Sequence, residues 1–134
     1  MEPVRYEPAT GTLWVAHIVY ALHSLSIVTG MLTASSIVGA FVFSIPSVVA
    51  VVLNYCLRSD AEGTYLETHF AWQIRTFWYA ALAMVLILLF GIPLATVGIG
   101  FVLIFLGYFV LGVWVVYRIA RGWVKLSRGD GMEI

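Results

Sequence analysis

The chain has 134 residues, of which 62% are hydrophobic, 15% aromatic and 10% charged, with a formal net charge of zero. A mean hydropathy of +0.99 excludes a water-soluble globular domain, since a fold this small has too little interior to hide so much apolar surface. Zero net charge gives no footing for nucleic acid, and the expected class is an all-α polytopic membrane protein in a single domain over residues 1–134.

The opening "MEPVRYEPATGT" lacks the basic start and the small-residue cleavage pattern of a secretory leader, so the apolar run behind it is expected to stay as a helix. Four runs are long enough to cross a hydrocarbon core of about 30 Å, which takes about 20 helical residues. They cover residues 12–32, 36–57, 70–92 and 94–117. The first pair is joined by Thr33–Ser36 and the second pair is divided at Gly91, Ile92 and Pro93. Connections this short make neighbours antiparallel, which predicts two hairpins.

The first span carries His17 and, near its middle, His23 beside Ser24 and Ser26. An ionisable group at that depth is a functional candidate by default, although an imidazole bonded to a nearby serine is also stable there. The two histidines are six positions apart, about 600° of helical rotation, so they do not converge on one metal or haem. Only His69, at the membrane edge, is left to complete a pair, and no cofactor or metal is expected. The second span sets Ser36, Ala40 and Ser44 on one face, which allows close helix approach. Pro46 follows them and is expected to kink the helix. The single cysteine, Cys56, is read as a small apolar filler.

"GTYLETHFAWQIRTFWYA", residues 63–80, brings Glu67, His69, Gln73 and Arg75 to the start of the third span. Thr64 and Glu67 have capping-box spacing, which satisfies exposed backbone N–H groups. Arg75 lies deeper and must snorkel or find a partner. A polar knot of His17, Asn54, Gln73 and Arg75, with Glu67 and His69 at its rim, would lock helices whose apolar faces gain little from pairing in lipid.

All seven basic and seven acidic residues fall into three groups: residues 2–7, residues 58–75 and residues 118–133. With four spans these groups share one membrane face. Lys and Arg bias loops to the cytoplasm, so both termini are expected there. In the basic tail 118–134, Arg118, Arg121, Lys125 and Arg128 are read as snorkelling or meeting anionic headgroups.

The His and Ser of the first span, the "DAEGTYLETHFAWQ" stretch and the "YRIARGWVKL" tail together resemble an uncharacterised bacterial four-helix membrane family. Its signature maps to Glu67, His69, Phe70 and Gln73, with His69 where the bacterial motif usually has Asn. That family looks related to the chloroplast inner-envelope protein-import component. The resemblance implies a bacterial inner-membrane protein loosely associated with membrane complexes. The expected function is therefore a non-enzymatic accessory or scaffold subunit, embedded in the lipid bilayer beside a membrane-protein partner or a second copy. The alternative is an oligomeric channel or transporter with a polar path from Arg75 to His23. No nucleophile, metal cluster or buried carboxylate pair suggests catalysis.

Overall fold

The computed structural model describes residues 7–32 and 37–132. Every regular element among them is an α-helix: α1 Thr10–Leu32, α2 Ile37–Phe43, α3 Ile45–Cys56, α4 Arg58–Ala61, α5 Leu66–Ala95 and α6 Ile99–Ser127. Three of these, α1, α5 and α6, are long and apolar enough to cross a membrane. The connector Thr33–Ser36, Glu2, Arg5 and Glu133 lie outside the described residues.

Two boundaries differ from the sequence expectation. The second apolar run is not one kinked helix. It breaks at Ser44, whose backbone is extended and whose hydroxyl accepts from the Ser47 N–H at 3.5 Å, so that α3 starts afresh with Pro46 in its first turn. Proline has no N–H to lose at that position and its φ suits a new helix, so it begins one here instead of bending one. The second difference lies between α5 and α6. Gly91, Ile92 and Pro93 are all helical, and the chain turns at Thr96–Gly98, where Gly98 takes the left-handed φ of 83°. That conformation is strained for a residue with a Cβ, whereas a proline inside a membrane helix is tolerated when its neighbours re-satisfy the backbone.

The buried side chains follow helical spacing. In α1 the stripe is Ala16, Val19, Tyr20, His23, Ser26 and Ile27, and in α5 it is Leu66, His69, Phe70, Gln73, Phe77, Ala80 and Met84. The early residues of both stripes meet at the end of the molecule where α1 and α5 begin and α3 and α6 finish. Leu66, Phe70, Val115, Ile119 and Leu126 fill the apolar core between them. Away from that end, α5 and α6 pack on each other. Gly107 sits against Ile87, and Gly100 lies so close to the Gly91 carbonyl and to Leu94 and Ala95 that a Cβ there would overlap backbone.

The two halves of the bundle reach to different depths. The rings of His23 on α1 and Phe77 on α5 are 6.5 Å apart and mark a common level. At about 1.5 Å per residue, α5 runs on about 27 Å past this level to Ala95, and α1 about 14 Å to Leu32. Beyond Met84, only Gly91 of α5 is buried, and between Gly100 and Leu111 no residue of α6 is.

Candidate functional site at the charged end

The charged residues among those described collect where α1 and α5 start and α3 and α6 end, and beneath them lies a layer of buried polar side chains. His69, Gln73 and Thr76 on α5, Asn54 on α3 and Tyr20 on α1 are all fully buried. His69 joins three segments. Its Nε2 is 2.6 Å from the Asp130 carbonyl, which can only accept, so Nε2 carries the proton. Nδ1 is then the acceptor for the Tyr20 hydroxyl at 2.8 Å. The Tyr20 ring lies against Gly122 of α6, where any Cβ would collide with it, and stacks on Trp123 at 6.4 Å.

The segment carrying Asp130 is held down by the end of α6. Gly129 adopts φ 74°, the Gly129 N–H donates to the Leu126 carbonyl and the Asp130 N–H to the Lys125 carbonyl, each at 3.0 Å. This is the Schellman closure, which spends a glycine to satisfy the last carbonyls. It turns the chain back so that the Met132 N–H donates to Thr68 Oγ1 at 2.8 Å and the Met132 side chain is buried.

A second bridge crosses from α3 through α5 to α1. Asn54 Nδ2 donates to Gln73 Oε1 at 2.7 Å, and Gln73 Nε2 donates to the Ala16 carbonyl at 3.2 Å. Asn54 Oδ1 has no partner among the described residues. At the rim, Trp123 Nε1 donates to His17 Nδ1 at 3.1 Å, tying α6 to α1.

Arg118 makes a third connection. Its Nε donates to Thr76 Oγ1 at 2.7 Å, and its guanidinium lies 3.5 Å over the Trp72 ring and 5.0 Å from Trp114. Trp72 Nε1 returns a hydrogen bond to the Arg118 carbonyl at 3.0 Å. A guanidinium stacked on indole is bound through the ring quadrupole, and more strongly where water is scarce.

Deeper in the bundle, His23 is fully buried, with Nδ1 2.8 Å from Ser47 Oγ and the ring 4.8 Å from Phe41. Its Nε2 has no partner among the described residues. Beside it, Ser44 Oγ hydrogen-bonds Ser26 Oγ, and Ser26 Oγ donates to the Leu22 carbonyl at 3.0 Å. The α2–α3 break is thus capped by the Ser44 hydroxyl, which the Ser26 hydroxyl of α1 holds in place.

Of the residues singled out in the sequence, Asn54 and Gln73 pair directly, and His69 and His17 join the same layer through Tyr20 and Trp123. Arg75 does not. It is exposed and lines a surface cleft of about 440 Å³ with Arg58, Glu62 and Glu67. Glu67 is also exposed. Its carboxylate accepts from the Gly63 N–H at 3.1 Å, while Thr64 Oγ1 accepts from the Leu66 N–H at 3.2 Å. Thr64 thus meets a first-turn N–H of α5 and Glu67 one in the turn before the helix, each one residue away from the expected capping-box donor. His23 pairs with Ser47, 24 positions away, and not with its neighbours Ser24 and Ser26. Tyr20 and Trp72 escaped sequence reasoning, Thr76 was placed only on a shared face with His69 and Gln73, and Arg118 was read only as part of the basic tail. The signal that would have joined the last three is the i, i+4 spacing of Trp72 with Thr76 and of Trp114 with Arg118, two pairs that face each other once α5 and α6 are packed.

No protein-family model, curated protein or solved structure matches this chain.

Proposed function

We propose that this is an integral protein of the bacterial inner membrane, acting as a non-enzymatic accessory or scaffold subunit of a membrane complex. The chain crosses four times as two antiparallel hairpins, with α2 and α3 together forming the second crossing and both termini cytoplasmic. The 7 residues of α2, the 12 of α3 and Ser44 between them amount to about 30 Å of helix, enough for the hydrocarbon core. A broken helix is admissible in lipid where its free backbone groups are met by neighbours, as the Ser44 hydroxyl meets the Ser47 N–H here.

One observation carries the subunit reading: the overreach of α5–α6. About 13 Å of paired apolar helix stands clear of α1–α3, forming a step alongside the short arm. Bridging such a step with lipid alone distorts the bilayer at some cost per ångström, and a helix from a partner protein fills it without distortion. The polar layer at the other end serves as the lock that keeps the two arms in register. The resemblance of Glu67, His69, Phe70 and Gln73 to the bacterial signature supports the same reading.

The transporter reading has one observation in its favour. The α2–α3 break lies beside a buried imidazole with an unpartnered nitrogen, and discontinuous helices at mid-membrane often form substrate sites. Its cytoplasmic end would run from the Gln73 layer, since Arg75 points to the surface.

Photo-crosslinking from Leu94 or Phe105 in native membranes, followed by mass spectrometry, separates the two. The subunit reading expects one protein partner in constant ratio after gentle extraction. A pure homo-oligomer whose ion or solute flux collapses in His23→Ala would overturn it.

A further inference from the structure

Arg118 lies where the apolar parts of α5 and α6 give way to the polar layer, and its charge has no carboxylate counter-charge acting on it among the described residues. The charged groups acting on it are two more guanidinium groups, those of Arg75 and Arg121. Tyr79 and Tyr20 are its titratable neighbours, and no carboxylate of the described residues is among them. Arg121 approaches the same indole, 5.8 Å from the Trp72 ring, and its Nη1 donates to the Tyr117 hydroxyl at 2.9 Å. Arg118 uses Nε on Thr76, and no hydrogen bond from the described residues engages its two terminal nitrogens. Two guanidinium groups over one indole at a membrane boundary repel each other, and an anion between them removes the repulsion. A planar guanidinium prefers phosphate or carboxylate for this, because two parallel N–H groups match two oxygens.

Below this cluster the surface is apolar. Ala83 and Ile87 of α5 with Leu106, Gly107, Val110, Leu111 and Trp114 of α6 line a groove of about 480 Å³. Gly107, which lacks a side chain, opens the groove floor against Ile87. Its upper end is Trp114, one helical turn, or about 6 Å, from Arg118. The exposed aromatic rings of Tyr79, Tyr117 and Trp78 stand at the same level, the position that interfacial aromatics occupy in bilayers. A cationic cluster at headgroup height above an apolar channel matches one kind of molecule from end to end.

We propose that Arg118 and Arg121, reinforced by the field of Arg75, bind the phosphate of an anionic phospholipid, one acyl chain of which lies in the α5–α6 groove. The headgroup is anionic because a zwitterionic lipid brings its own cation and leaves Arg118 and Arg121 uncompensated. Thr76 and Trp72 serve the site by holding Arg118 with its terminal nitrogens turned outward. This site is independent of any protein partner at the opposite end of α5–α6.

The test is native mass spectrometry of the full chain released from membranes containing equal amounts of phosphatidylglycerol and phosphatidylcholine. The wild type is expected to retain one phosphatidylglycerol in preference, and to keep it in excess inorganic phosphate, since the acyl chain contributes to binding. Arg121→Gln should lower that preference about tenfold, the loss of one charge-assisted hydrogen bond. Val110→Trp, which fills the groove without touching an arginine, should lower retention of the lipid while leaving the fold intact by thermal unfolding. Arg128→Gln, at the exposed end of α6, should change neither. Equal retention of both lipids would overturn the proposal. So would displacement by inorganic phosphate alone, or a preference unchanged in both Arg121→Gln and Val110→Trp.

Discussion

The charged end of the bundle and the far end of α5–α6 solve the same packing problem in opposite ways. At the charged end, four helices are held by side chains that reach across: His69 to Tyr20 and the Asp130 carbonyl, Asn54 to Gln73, Arg118 to Thr76. At the far end, two helices are held by the absence of side chains, with Gly100 against the Gly91 carbonyl and Gly107 against Ile87. Hydrogen bonds between membrane helices contribute only about 0.6 kcal/mol on average, because polar groups find other partners when the helices separate. Close packing is less forgiving. The glycine contacts should therefore prove more sensitive to substitution than the polar layer, even though the polar layer looks more elaborate.

That ordering can be broken by experiment. Gly100→Ala should be the most damaging single change. Its Cβ meets α5 backbone, which cannot rotate aside, and overpacking of this kind costs about 3 kcal/mol. The check is the thermal unfolding midpoint in detergent, and a variant as stable as wild type would show that the arm tolerates separation. Gly122→Ala comes next, at about 2 kcal/mol, because the Tyr20 ring must leave its place and with it the bond to His69. Here unfolding should be paired with proteolysis of the 128–132 segment, which is expected to become cleavable.

Within the polar layer the effects should be smaller. Gln73→Leu removes the link to both Asn54 and Ala16 and should cost about 1 kcal/mol by steric-trap measurement, within the range found for polar contacts between membrane helices. A loss equal to that of Gly100→Ala would reverse the comparison. Arg75→Gln should be nearly silent in yield and unfolding, since the side chain is exposed and outside the layer. A strong loss would return Arg75 to the lock.

Much of this architecture was legible in the letters, and the exceptions have physical causes. The gathering of the described charges at one end follows from the cost of placing ions in hydrocarbon, which sequence displays directly. The pairing of Asn54 with Gln73 was legible for the same reason, as two amides at matching depth have few alternatives. Arg75 misled because depth along a helix is readable while the face it occupies depends on where the neighbours pack. Arg118 was assigned to a flanking tail, since its nearest sequence neighbours are basic. Only the continuation of α6 to Ser127 brings it against Trp72. Pro93 was read as part of a break between helices and Pro46 as a kink within one. The chain instead turns where Gly98 supplies a left-handed φ and where Ser44 supplies a cap, because termination needs a positive solution for the backbone and not only a missing N–H.

The account rests on the polar layer and its charges occupying one water boundary while the α5–α6 turn reaches the other. Cysteine accessibility in sealed, oriented vesicles tests this directly, with the exposed Cys56 replaced by serine and single cysteines introduced at Glu62, Thr96 and Arg128. Positions 62 and 128 should be modified together from the cytoplasmic side by an impermeant reagent, and position 96 only from the opposite side. Modification of 62 and 128 from different sides would contradict the account.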